Sequence, residues 1–214
     1  RNCDMIGKVT LKVDLPALKS GLKWKSNLGD RIIKCIKLNI GGNEVENLKS
    51  DYLHLSKFLE RNEQEDIMYN KLTGNTDLLN NNWESKPETT IFIPINFSLI
   101  NFKKNKYLSL ISLTYSQSII EIEIEDIIDL IDTKSNNKEL LNKELDITIS
   151  FILKGFYCEN PYRQTISNRR LDNFIDQVDY EDRLLTDNIV LNRINGEVKY
   201  LLMYIKPNDK NFYD

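Results

Sequence analysis

The chain has 214 residues, 41% of them hydrophobic and 29% charged, a balance that supports a buried core and excludes a disordered segment. Its 29 Lys and Arg against 32 Asp and Glu give a net charge of −3, so strong non-specific binding to nucleic-acid backbones is not expected. Cys3, Cys35 and Cys158 stand far apart without C-x-x-C spacing, which argues against a disulfide framework and a zinc site and favours a reducing compartment.

No apolar run reaches transmembrane length and no basic-then-apolar leader precedes the first strand pattern. Arg1 stands where a Met would begin a chain, and the strand pattern starts almost at once, so the sequence reads as an internal fragment. Val9, Leu11, Val13 and Leu15 alternate with Lys8, Thr10, Lys12 and Asp14, predicting a half-buried strand that Pro16 ends. Residues 19–30 read as a loop with Gly21 and Gly29, and residues 32–40 as a second strand. Gly41-Gly42-Asn43 tolerates positive φ and predicts a tight hairpin into residues 44–47. The same pair is too short a signal for a dinucleotide-binding loop.

Ser50 is placed to cap a helix over residues 50–60, with Tyr52, Leu55 and Leu59 at helical spacing. A second helix over 65–72 stops at Gly74, and 75–88 is a loop. Ile91, Ile93, Ile95, Phe97 and Leu99 alternate in a further strand, with Pro94 marking an edge or a bulge. Residues 107–125 form the longest β-type signal. The first half is apolar on both sides, through Leu108, Leu110, Ile111, Leu113 and Tyr115, as in a strand covered on both faces. In the second half Ile120, Ile122 and Ile124 point one way and Glu121, Glu123 and Glu125 the other.

A helical turn over 126–132, a charged loop over 133–144 and a strand over 147–153 follow. Asn160-Pro161 opens a short helix to about residue 169, residues 171–178 fit helix or strand equally, and 189–205 reads as a hairpin about Asn195-Gly196. Strands carry the core and the helices are short and lie between them. That predicts an all-β, antiparallel sandwich.

Few residues could carry chemistry. His54, the single histidine, falls on the polar side of its helix beside Ser50 and Lys57 and reads as a solvated surface residue. The Glu121, Glu123 and Glu125 row has the composition for a divalent cation or paired-carboxylate hydrolysis, but alternation alone predicts a solvent-facing row. Asn96-Phe97-Ser98 is a formal glycosylation triplet in mid-strand, and Arg169-Arg170 is an ordinary helix-end pair. No catalytic, cofactor-binding or metal-binding residue is therefore assigned.

Six motifs in order resemble the double jelly-roll major capsid proteins of nucleocytoplasmic large DNA viruses. Arg1-Asn2-Cys3-Asp4-Met5-Ile6 is similar to the family's R-N-G-D-L-I, and Ile36-Lys37-Leu38-Asn39-Ile40-Gly41-Gly42 to V-E-L-E-I-G-G. Tyr69-Asn70-Lys71-Leu72-Thr73-Gly74-Asn75 resembles Y-N-x-M-x-G-N, and Phe92-Ile93-Pro94-Ile95-Asn96-Phe97 resembles Y-V-P-L-x-F. Leu108-Ser109-Leu110-Ile111-Ser112-Leu113-Thr114-Tyr115 is similar to L-P-L-I-A-L-Q-Y, and Phe174-Ile175-Asp176-Gln177-Val178 to Y-L-I-E-Q-V. Cys3 in place of Gly, Ser116-Gln117-Ser118 in place of H-E-V and a poor match over 181–195 are the departures a divergent or minor paralogue would carry.

The resemblance implies an antiparallel jelly-roll sandwich with short helices in the inter-strand loops. Residues 1–170 would be most of a first jelly-roll domain lacking its earliest strands, and residues 171–214 the start of a second. It implies a non-enzymatic shell protein without cofactor, forming homotrimers whose pseudo-hexagonal capsomers tile an icosahedral capsid. Neighbouring capsomers and minor capsid proteins are the implied partners, with no direct nucleic-acid binding, and contact with an internal viral membrane layer is left open. The implied location is the virion capsid, assembled in host cytoplasm. A poxvirus-like jelly-roll scaffold and a jelly-roll carbohydrate-binding protein are the alternatives.

Overall fold

In the computed structural model, which describes residues 3–113, 115–134, 145–168, 175–180 and 197–204, the first alternating run becomes strand β1, Met5–Leu15. The expected loop over 19–30 instead contains a three-residue strand, β2, Leu22–Trp24, and a helical turn, α1, Leu28–Ile32. Strand β3, Ile33–Ile40, turns through Gly41 and Gly42, both at positive φ, into β4, Asn43–Lys49. Helix α2, Ser50–Glu60, follows directly. Its N-cap is Lys49 and not Ser50, whose hydroxyl instead donates to the Asp30 carbonyl at 3.0 Å.

Helix α3, Glu63–Leu72, begins two residues earlier than its apolar spacing suggests, because Asn62 and Glu65 form a reciprocal capping box. It ends at Gly74, whose φ of 77° is the left-handed turn expected there. A single turn, α4, Asp77–Asn80, interrupts the predicted loop before β5, Thr89–Ile95. Phe97 and Leu99 lie beyond the end of β5 but remain buried.

The 107–125 stretch is not one strand. It holds β6, Leu108–Ser109, then turns, then β7, Ser118–Ile124, and these two strands join different sheets. Leu108, Ser109 and Ile111 are buried as expected of the first half, whereas Tyr115 is 100% exposed at the bend. A 3-10 turn at Ile127–Leu130 leads into β8, Ile131–Thr133. Strand β9, Thr148–Phe156, and helix α5, Asn160–Asn168, complete the elements. Residues 197–204 carry no strand, and the rest of the expected hairpin, like 171–174 and Arg169-Arg170, lies outside the described residues.

Both edges of β1 are paired, antiparallel, to β5 through Leu11↔Ile93 and to β9 through Leu11↔Phe151. At Met5 and Ile6, where β9 holds one edge, β6 takes the other. The second sheet has the order β4-β3-β7, with Ile36 between Leu48 and Ile122, and β2 pairs with β8 in a small third sheet. Pro94 sits on β5, which pairs with β1 alone among the described residues, so the ring costs no ladder bond on its outer side.

Val9, Leu11 and Val13 of β1, Ile36 and Leu38 of β3, Ile91 and Ile93 of β5 and Trp24 of β2 share one buried cluster, so the two larger sheets pack face to face. This is an all-β antiparallel sandwich whose helices lie in the inter-strand loops. Replacing Leu11, which is completely buried, with Ala is expected to cost about 2–5 kcal/mol by opening a cavity, read as a lower denaturant midpoint. Ile152→Ala, on a β9 side chain that is 45% exposed, is expected to cost well under about 1 kcal/mol in the same assay.

Candidate functional site

The densest polar constellation is organised by Asp30. Asn27, in the left-handed region at φ 53°, turns the chain into α1 and puts Asp30 inside the molecule, where it is 3% exposed. Gly29 permits the close approach this requires, since a Cβ there would meet that of Thr73, just past α3, at 2.6 Å. The Asp30 carboxylate accepts from the Tyr69 hydroxyl at 2.6 Å and pairs with Nδ1 of His54 at 2.8 Å, and Nζ of Lys57 stands 4.0 Å away. The Arg61 guanidinium lies 3.4 Å from the centre of the Tyr69 ring. One carboxylate thus joins α1, α2 and α3 at one end of the sandwich.

His54 is therefore not the solvated surface residue its helix position implies, for its side chain is only 12% exposed against the Asp30 carboxylate. Burial lowers the Lys57 pKa despite the attraction of Asp30 and Asp66, and burial followed by the Asp30 charge raises that of Tyr69. An Asp-His pair could serve a nucleophile, but Ser50 and Ser56 both donate to backbone carbonyls, those of Asp30 and Leu53. Asp30, His54 and Tyr69 satisfy one another, which is the chemistry of an internal anchor, while Arg61 Nη1 and Asp66 Oδ1 beside them are buried without a hydrogen bond. A small pocket beside them is lined by Gly29, Tyr52, Ser56 and Pro94.

A second buried carboxylate links the two sheets. Glu46 of β4 is 4% exposed and accepts from the Ser98 amide at 2.8 Å, the Ser98 hydroxyl at 2.5 Å and the Leu99 amide at 3.1 Å, all just beyond β5. Burial holds its carboxyl above the ordinary glutamate range, against the pull of those three bonds. The glycosylation triplet lies here, past the end of β5 instead of mid-strand: Asn96 is exposed, Phe97 is fully buried and Ser98 belongs to the Glu46 contact.

The glutamate row lies where alternation predicts. Glu121 stands opposite Lys37 and Glu123 opposite Cys35, on the wet face of the second sheet. Lys34 lies 3.7 Å from Glu123 and 3.8 Å from Glu125, and the Cys35 thiol donates to Glu123 at 3.7 Å. Burial and the Glu123 charge raise the Cys35 pKa, so this thiol is not an activated one. Tyr107, one of the aromatics nearest the row in sequence, instead packs edge-on against Phe102 and Phe156, beside the other sheet. No group of three or more His, Cys, Asp or Glu suited to a metal occurs among the described residues.

A sequence model of the family described as "Major capsid protein N-terminus" matches residues 1–153. The major capsid protein of Phaeocystis pouchetii virus is 21% identical over 247 aligned residues, which cover 97% of this chain and 47% of that protein. Probable capsid protein 4 of Acanthamoeba polyphaga mimivirus is 26% identical over 133 residues, 56% of this chain and 25% of that protein. Among solved structures, a quasi-atomic model of the PBCV-1 virus capsid superposes with a TM-score of 0.70 at 18% identity, covering 83% of this chain and 41% of that one. The crystal structure of PBCV-1 VP54, fitted into a reconstruction of the virophage Sputnik, gives a TM-score of 0.67 at 17% identity. These likenesses show the fold, a jelly-roll sandwich of the double jelly-roll class, and the chain spans less than half the length of the relatives it matches.

Asp30→Asn and Glu46→Gln test the two buried carboxylates, with Glu123→Gln on the wet face as the control. Asp30→Asn leaves Lys57 facing a neutral amide and is expected to lower the unfolding free energy by about 3 kcal/mol, while Glu123→Gln leaves the denaturant midpoint unchanged. Because burial raises the Glu46 pKa, the folded state binds that proton more tightly than the unfolded state does. Glu46 then costs stability increasingly as pH rises from the ordinary glutamate value through its raised one. The stability of Glu46→Gln relative to the parent is therefore expected to increase as pH rises above the ordinary glutamate value of about 4.3, and a constant difference in urea titrations would contradict this.

Proposed function

The chain belongs to the major capsid protein N-terminal family, and from that premise we propose that it is the greater part of the first jelly-roll domain of a capsid shell subunit of a large DNA virus. In this reading residues 1–170 lack only the earliest strands of the first domain, and residues 171–214 begin the second. The subunit forms homotrimers with a pseudo-hexagonal outline, packs against neighbouring capsomers and minor capsid proteins, and is assembled in host cytoplasm before residing in the virion capsid. Its role is mechanical: it does not carry out catalysis, and the buried carboxylates hold elements together instead of holding a ligand.

The observation that carries the reading is the asymmetry of the sandwich. On one side the two sheets are joined by Glu46 reaching from β4 to the residues after β5. All four edge strands, β5 and β4 on that side and β9 and β7 on the other, are paired with a single strand among the described residues, and the β9–β7 side differs in its exposed apolar inner face. Phe151 and Leu153 of β9 lie in register with Leu11 and Val9, on the core face, yet are 37% and 47% exposed. Ile124 of β7 is 37% exposed, and Ile120 and Ile122 are only partly buried against the core. Among the described residues no strand lies beyond β9 or β7 over these inward-facing apolar side chains, which supports a reading in which further strands are added there, and the chain spans less than half the length of the relatives it matches.

The test is the solution mass and negative-stain image of the full-length product. A trimer of hexagonal outline is expected; a stable monomer at micromolar concentration would contradict the capsomer reading.

A further inference from the structure

Strand β4 pairs with β3 alone among the described residues, so its other edge presents backbone groups to whatever lies beside it. On that edge the Tyr180 hydroxyl accepts from the Lys49 amide at 2.8 Å and donates to the Asn47 carbonyl at 3.1 Å. A carbonyl and the amide two residues later are the pair that one residue of an added parallel strand would engage, through its own amide and carbonyl. The phenol replaces that residue with a single oxygen that both donates and accepts.

The ring is fixed as well as the oxygen. Nζ of Lys49 lies 4.5 Å from the centre of the Tyr180 ring, and Val178, two residues earlier, packs against the hydrophobic core. Burial raises the Tyr180 pKa, so the hydroxyl keeps its donor proton at neutral pH. Nearby, the Tyr204 hydroxyl donates to Asp51 in the first turn of α2, and Lys199 pairs with Asp176 at 2.9 Å. Two separate stretches of the last forty residues are thereby tied to the β4–α2 corner and to each other.

We propose that Tyr180 is an edge lock: its hydroxyl fills the strand-addition position on β4, straps residues 175–180 to the second sheet, and closes that edge to a strand from a second copy of this chain. The lock does not depend on the capsid role, because it rests on the geometry of one strand edge and one side chain.

The test uses the full-length protein and two substitutions. Tyr180→Phe keeps the ring and removes only the oxygen, so amide exchange at Lys49 should accelerate by roughly two- to tenfold while the amides of β1 are unchanged. Tyr180→Ala removes the strap as well and should raise concentration-dependent self-association in sedimentation velocity above that of the parent. Unchanged exchange at Lys49 in Tyr180→Phe would overturn the lock. Faster exchange with no added self-association in Tyr180→Ala would overturn its role in closing the edge.

Discussion

The pairing of β1 along both of its edges is the constraint from which the rest of the architecture follows. A strand hydrogen-bonded on each side cannot slip by one residue without turning Val9, Leu11 and Val13 out of the core, and all three are completely buried. With that register set, β5 and β9 inherit their inward faces from β1. The second sheet packs Ile36 and Leu38 of β3 into the same cluster. The helices α2 and α3 are then excursions tied back to the sandwich by Asp30, not independent layers.

The two sides of the sandwich are held by different physics. On the β4–β5 side, buried carboxylates do the joining: Glu46 bridges to Ser98 and Leu99, and Asp30 gathers Tyr69, His54 and Lys57. Such groups contribute directional specificity more than net free energy, since the desolvation of each charge offsets much of what its partners return. On the β7–β9 side the inward faces are apolar and partly wet, and apolar surface is satisfied by any cover of the right shape. A subunit whose rigid corner is polar and whose open flank is apolar suits completion by further strands of its own polypeptide.

Strands with clean period-two alternation were legible in the sequence, as β1, β3, the end of β7 and β9 were, because their signal is local. The pair β2 and β8 was not, since each has three residues and Leu22 finds its partner at Thr133. The 107–125 stretch misled because apolar residues on both sides fit a covered strand and a buried turn alike; only the tertiary structure sends β6 to one sheet and β7 to the other. His54 looked solvent-facing because its helix cannot reveal Asp30, which arrives from α1. Glu46 did carry a signal, sharing an inward face with Leu48, and a charged residue in phase with buried ones marks a carboxylate held by protein donors. The six family-like motifs were legible as order along the chain more than as chemistry, and five of them fall wholly or partly within the matched residues 1–153.

The central claim is the proposal that this jelly-roll sandwich, joined across its sheets by Glu46 on the β4–β5 side, takes further strands of a longer polypeptide at β7 and β9. A structure of the full-length protein tests it most directly. The account predicts one additional strand hydrogen-bonded to the outer edge of β9 and another to that of β7, covering Phe151, Leu153 and Ile124. Two solvent-exposed edges in that structure, with those side chains still wet, would contradict it.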